Sequence, residues 1–101
     1  MGGSIPLADI SFEVRGTVQG VGYRAWLQRE ARKRGLRGWV RNCRDGRVEG
    51  LLCGPRPDVE GMLALIRRGP PAAAVDHVSR RPALPEDLAL NSEGFAVLRD
   101  A

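Results

Sequence analysis

The feature that most limits what this chain can fold into is a change of hydrophobic period across a short glycine-rich run. From Asp9 to Val18, Ile10, Phe12 and Val14 alternate with Ser11, Glu13 and Arg15, the period of a half-buried strand. From Tyr23 to Arg34 the period lengthens. Tyr23, Leu27 and Ala31 stand four apart with Trp26 beside them, while Arg29, Arg32 and Lys33 take the opposite face, so this stretch is predicted to be an amphipathic helix. Gly35 is placed to end it as a left-handed cap.

The remainder extends the same grammar. Leu36–Cys43 and Arg47–Cys53 read as two strands about Asp45-Gly46, one of the strongest short-range hairpin signals. Gly54-Pro55-Arg56-Pro57 breaks the chain, and Asp58 is expected to cap a second helix whose Val59, Met62, Leu63 and Ile66 follow three-and-four spacing. Gly69-Pro70-Pro71 stops it. Val75–Arg81 alternates weakly, as an edge strand would, Pro82–Gly94 reads as a loop, and Phe95–Leu98 supplies a short last strand. Strand, helix, strand, strand, helix, strand, with an extra terminal strand, is the split βαβ order of an α+β, ferredoxin-like βαββαβ sandwich. At 101 residues, one domain with one core is expected, spanning residues 9–101 behind a flexible tail of residues 1–8.

Two residues carry chemical interest. Arg24 closes the run Gly16-Thr17-Val18-Gln19-Gly20-Val21-Gly22-Tyr23-Arg24 and falls at the start of the first helix. A helix N-terminus is partly positive and has unpaired N–H groups, so a permanent cation there calls for an anion between them. The glycines upstream let backbone amides approach such a ligand closely, which makes loop and arginine together a phosphate pocket. Asn42, just ahead of the hairpin turn, is the second. Its amide oxygen can accept a hydrogen bond from a water, although an amide is too weak a base to take the proton. Taken alone, Arg24 also suits a solvated surface arginine, and Asn42 a residue bonding nearby backbone at the turn.

Other chemistries lack their residues. The glycines do not fall at G-x-G-x-x-G spacing, and no Gly-Lys-Ser/Thr follows to make a nucleotide-hydrolysing loop. His77 is the only histidine, with no ligand cluster or triad around it, so neither metal nor cofactor is expected. Cys43 and Cys53 are too few for a disulfide scaffold. A tight turn at Asp45-Gly46 would set Val48 opposite Cys43 and leave Cys53 about 17 Å away, beyond disulfide reach. Free thiols suit a reducing compartment.

At the two motifs the chain closely resembles the acylphosphatase family. Val14-x-Gly16-x-Val18-Gln19-Gly20-Val21-Gly22-Tyr23-Arg24 is similar to that family's signature, with Tyr23 where members often carry Phe. Gly38-Trp39-Val40-Arg41-Asn42-x-x-Asp45-Gly46-x-Val48-Glu49-Gly50 resembles its second motif, and Gly69-Pro70-Pro71-x-Ala73-x-Val75 its connection into the fourth strand. The resemblance runs from about Ile10 to Leu98. It implies a five-stranded antiparallel sheet with two helices on one face. It also implies a substrate phosphate bound by Arg24 and the backbone amides of Gln19, Gly20, Val21, Gly22, Tyr23 and Arg24, with Asn42 positioning the attacking water.

The implied substrate is a small acyl phosphate, hydrolysed to a carboxylate and inorganic phosphate without metal or cofactor. Absent acid-base groups suit such an anhydride: a carboxylate leaves with a pKa near 4, whereas an ester's alkoxide needs a proton donor. The chain has 16 Lys plus Arg against 12 Asp plus Glu, a surplus that favours anionic partners without naming one. An RNA-binding module shares the element order, but Arg47–Cys53 carries no aromatic for base stacking and aromatics make up 5% of the chain, so no nucleic-acid partner is expected. A catalytically silent domain of the same family, acting as a binding or regulatory module, is the other alternative. No run nears the roughly 18 apolar residues of a membrane span, and a cytoplasmic monomer is expected.

Overall fold

The computed structural model describes residues 5–91 and 93–101. Its elements are β1 (Leu7–Thr17), α1 (Tyr23–Lys33), β2 (Arg37–Asn42), β3 (Val48–Pro55), α2 (Arg56–Arg68), β4 (Ala74–Pro82), α3 (Pro85–Ala89) and β5 (Phe95–Val97). The strands form one sheet in the order β4-β1-β3-β2-β5.

On one face of the sheet Ile10, Phe12 and Val14 of β1, Val40 of β2 and Val48 and Leu52 of β3 pack against the apolar stripes of the two long helices. Leu27 and Ala31 come from α1, and Val59, Met62, Leu63 and Ile66 from α2. Alternation explains the selection, since every second strand residue faces the helices. The expected helix positions are the buried ones because their spacing puts them on a single stripe.

The structure corrects the expected architecture in several places. The sheet is mixed: β1–β3, β1–β4 and β2–β3 are antiparallel, but β5 runs parallel to β2, with Gly38 opposite Phe95 and Val40 opposite Val97. Short strands carry no sequence mark of direction. It is set by the route of the chain, which leaves β4 at one edge and crosses to the far edge before β5.

That crossing contains a third helix where a loop is expected. Pro85 stands in its first turn, and the Asp87 carboxylate reaches back to the Leu84 N–H at 2.8 Å. Proline and acidic residues at a helix start are a legible signal; the segment lacks only an apolar period, being five residues long.

This segment covers the face away from the long helices. There Trp39 Nε1 donates to the Asp87 carbonyl at 2.9 Å and Ser11 Oγ donates to the Asp87 carboxylate at 2.7 Å. Ser11, on the expected solvent side of β1, is therefore buried. A small second core of Trp39, Leu51 and Cys53 lies on the same side.

Three boundaries also shift. β1 begins at Leu7, which pairs with Pro55, so two residues assigned to the tail belong to the sheet, and residues 1–4 of that tail lie outside the described ones. Helix α2 starts at Arg56 with Pro55 as its N-cap, leaving Asp58 in the first turn rather than capping. In the hairpin, Val48 pairs with Asn42, not Cys43. Residues 44–46 form a three-residue connection closed by Cys43 N–H to the Arg47 carbonyl at 2.8 Å. Gly46, at φ 93°, supplies the left-handed residue such a connection needs.

Candidate active site

After β1, residues 18–22 turn the chain into α1. Gly20 and Gly22 have φ of 75° and 76°, and the space a side chain would fill at either is open. Both properties suit a loop that presents its backbone. Among the described residues, no backbone N–H from Gln19 to Arg24 donates to a backbone carbonyl. The first helical bond is Trp26 N–H to the Gly22 carbonyl at 3.0 Å. These donors and the positive helix end share one rim, a ready arrangement for an anion.

Gly16, counted with the loop in the sequence, belongs elsewhere. It sits in β1 at a register shift against β4, with φ 135°, where any Cβ would run into the carbonyl of Ala74.

Arg24 occupies the second position of α1. Its side chain is 34% exposed, and Nη1 lies 3.2 Å from Oδ1 of Asp100, itself 66% exposed. The electrostatic demand for an anion is thus met in part by a carboxylate 76 residues away, which no local signal could have revealed. Such an open, solvent-screened pair is worth about 0–1 kcal/mol, so a phosphate can compete for the guanidinium.

Tyr23 presents only its backbone to the rim. Its ring is buried, and its hydroxyl donates to the Ile66 carbonyl at 2.8 Å, tying α1 to α2. Burial pushes that phenol's pKa well above the ordinary range. Val21 packs against the core from partial cover. Gly20, Gly22, Arg24, Gln28 and Val97 border a hollow of about 250 Å³.

Asn42 ends β2 on the helix-facing side, 7% exposed. Its Oδ1 is buried with no hydrogen-bond partner within the protein, so the turn-bonding alternative is not what the side chain does. An unsatisfied buried acceptor costs about 1–3 kcal/mol, and such groups are retained where something outside the chain completes them.

The two sequence motifs are joined twice. Gln19 Nε2 donates to the carbonyls of Cys43 and Arg47 at 2.9 and 2.8 Å. At the C-terminal end, Asp100 reaches Arg24 while the next N–H, of Ala101, donates to the Asn42 carbonyl at 2.9 Å.

A second hollow, about 180 Å³, lies on the opposite face between Ser11, Glu13, Trp39, Glu49, Arg81 and Asp87. Its charges are already matched: Glu13 with Arg47, Glu49 with Arg41 and Asp87 with Arg81. His77 is exposed on edge strand β4, opposite Arg15. Among the described residues no group of three or more His, Cys, Asp or Glu is placed to hold a metal ion, and no helix is long and apolar enough to cross a membrane.

Fold and loop together define a class: small α+β domains in which a glycine loop with unpaired amides leads into a helix that carries an arginine in its first turn. A family model described as acylphosphatase matches residues 10–96. This chain belongs to the acylphosphatase family. An acylphosphatase of Bradyrhizobium diazoefficiens is 51% identical over 93 residues, covering 90% of this chain and 94% of the relative. The solved acylphosphatase of Coxiella burnetii matches with a TM-score of 0.81 at 34% identity, over 91% of this chain and 93% of that one. That of Bacillus subtilis gives 0.77 at 35% identity, over 92% and 99%.

Proposed function

We propose that this chain is an acylphosphatase that hydrolyses the carboxyl-phosphate anhydride of small acyl phosphates, by attack of water, to a carboxylate and inorganic phosphate. The observation that carries the reading is the buried, unpartnered Oδ1 of Asn42 on a strand tied to a loop of free amides. We read these as an acceptor for water and donors for phosphate, linked through Gln19. Arg24 and the amides of Gln19, Gly20, Val21, Gly22, Tyr23 and Arg24 bind the phosphoryl oxygens and stabilise charge on them in the transition state. Asn42 accepts from the attacking water and holds it in line.

Positioning and charge stabilisation supply most of what phosphoryl transfer asks of a protein, and the carboxylate leaves unprotonated. We assign the water's proton to a phosphate oxygen, because the carboxylate at the rim, Asp100, is paired with Arg24. A pH-rate profile governed by an essential enzyme group near neutrality would count against that step.

Support for a ferredoxin-like arrangement comes from the βαββαβ succession and the neighbouring of β1 with β3. A Cα radius of gyration of 13.0 Å matches a compact chain of about 100 residues, in keeping with the expected single domain, whose sheet begins at Leu7. We assign it to the cytoplasm as a monomer with no nucleic-acid or membrane partner.

Benzoyl phosphate hydrolysis without added metal tests the function. Arg24→Gln is expected to lose on the order of 10³-fold in turnover and to bind inorganic phosphate more weakly. Asn42→Ala is expected to lose about 10²-fold with phosphate inhibition nearly unchanged. Full turnover in either variant refutes the role assigned to that residue, and no turnover in the wild type favours the silent-module alternative.

A further inference from the structure

Gln19 does more than lend its backbone amide to the phosphate loop. Its side chain reaches across to the hairpin, where the single Nε2 donates to both the Cys43 carbonyl at 2.9 Å and the Arg47 carbonyl at 2.8 Å. Those carbonyls flank the three-residue turn, and Arg47's also accepts the Cys43 N–H that closes it at 2.8 Å. One amide nitrogen with two diverging protons therefore ties the loop to the residue that directly follows Asn42. Few side chains can do this. Glutamate at neutral pH and methionine have no proton to give, and asparagine has the same amide on a shorter arm.

We infer that Gln19 is a positioning residue that fixes the phosphate-binding loop relative to Asn42. The inference rests on the reading of Asn42 as the residue that holds the attacking water. The two halves of the site sit on different supports, the loop at the start of α1 and Asn42 at the end of β2. In-line attack requires both at once, and a misplacement of about 1 Å can cost 10²-fold in rate. Among the described residues, the other polar links between these two supports come from the C-terminal residues: the exposed pair from Asp100 to Arg24 and the bond from Ala101 to the Asn42 carbonyl. Of these links, only Gln19 starts from the loop itself.

The test is a double-mutant cycle with benzoyl phosphate, read together with inhibition by inorganic phosphate. Gln19→Met, close to the same size and without donors, is expected to lower kcat by about 10 to 100-fold while KM and the phosphate inhibition constant change by less than about threefold. Gln19→Asn should fall between Met and the wild type. In the Asn42→Ala background, Gln19→Met should cost little more, because the group it aligns is gone.

Multiplicative losses in the double variant would overturn the inference, as would unchanged kcat or a loss confined to phosphate affinity. If Asn42→Ala alone is fully active, the reading of Asn42 fails; if Asn42→Ala is impaired and Gln19→Met is not, only Gln19's assignment fails. Thermal melts of each variant keep loss of folding separate from loss of alignment.

Discussion

Replacing Asp87 with alanine should unfasten the back of the molecule without touching the reaction. In the folded protein its carboxylate accepts from buried Ser11 Oγ at 2.7 Å, from Arg81 at 2.7 Å and from the Leu84 N–H at 2.8 Å. Alanine leaves the Ser11 hydroxyl buried without an acceptor, at about 1–3 kcal/mol. Losing the bond that reaches back to the helix start adds about 0.5–1 kcal/mol. The Arg81 pair is half open on the arginine side and contributes about 0–1 kcal/mol. The total, about 1.5–5 kcal/mol, corresponds to a fall in Tm of about 7–25 °C for a chain this size.

The sign with pH follows from the carboxyl's environment. Burial pushes its pKa up, but the bonds from Arg81, the Leu84 N–H and Ser11 outweigh burial and hold it below the ordinary value. A group depressed in the folded state stabilises above its unfolded pKa, near 3.9, and loses that contribution as pH falls through the lower folded value. The gap between wild type and Asp87→Ala should therefore be full at pH 7 and narrow below about pH 4. Circular-dichroism melts across that range measure it, with kcat at 20 °C as a control. A stability loss under about 0.5 kcal/mol at pH 7 would refute the anchoring role, and reduced kcat in folded protein would show that the back face is coupled to the loop.

The other expectations are narrower. Gly16→Ala forces a Cβ into the Ala74 carbonyl at a positive φ, so a loss of about 2 kcal/mol or more is expected in denaturant melts; a neutral outcome would mean the register shift against β4 can relax. Asp100→Asn removes an exposed carboxylate from beside Arg24. Inorganic phosphate should then bind up to about fivefold tighter at low salt, with little change at high salt; weaker binding would show that Asp100 aims the guanidinium instead. Both thiols are buried. Burial, followed by the Asp9 carboxyl, pushes Cys53 up to about 12, and burial, followed by Glu49, also raises Cys43. Native protein should react slowly with a thiol reagent at pH 8 and fast once unfolded, and rapid native labelling would contradict this placement.

Local order and long-range order divide what was legible. The helix beginning at Tyr23, its buried Leu27 and Ala31, and the α2 stripe of Val59, Met62, Leu63 and Ile66 could be read directly, because period and glycine placement act within a few residues. The loop was legible for the same reason: Gly20 and Gly22, both at positive φ, mark a turn that shows its backbone, and Arg24 follows at the helix start. Asn42 was a candidate by motif alone, since its unpartnered oxygen is a fact of packing. The hairpin register escaped by one residue because Asp45-Gly46 is compatible with two-residue and three-residue connections, and only the pairing of Asn42 with Val48 decides between them.

The sequence by itself determined the five strands, the two long helices, the face each of those helices buries and the glycine loop between β1 and α1, all set by forces acting between near neighbours. Tertiary structure alone decided the rest. The parallel entry of β5 depends on the route of a chain crossing the back of the sheet. Ser11 is buried only because Asp87 arrives from 76 residues away. The same holds at the site, where Asp100 comes to Arg24 over an equal distance and Gln19 reaches the Cys43 and Arg47 carbonyls. A side chain's partner across a fold depends on where the whole backbone goes, and no stretch of a few residues contains that information.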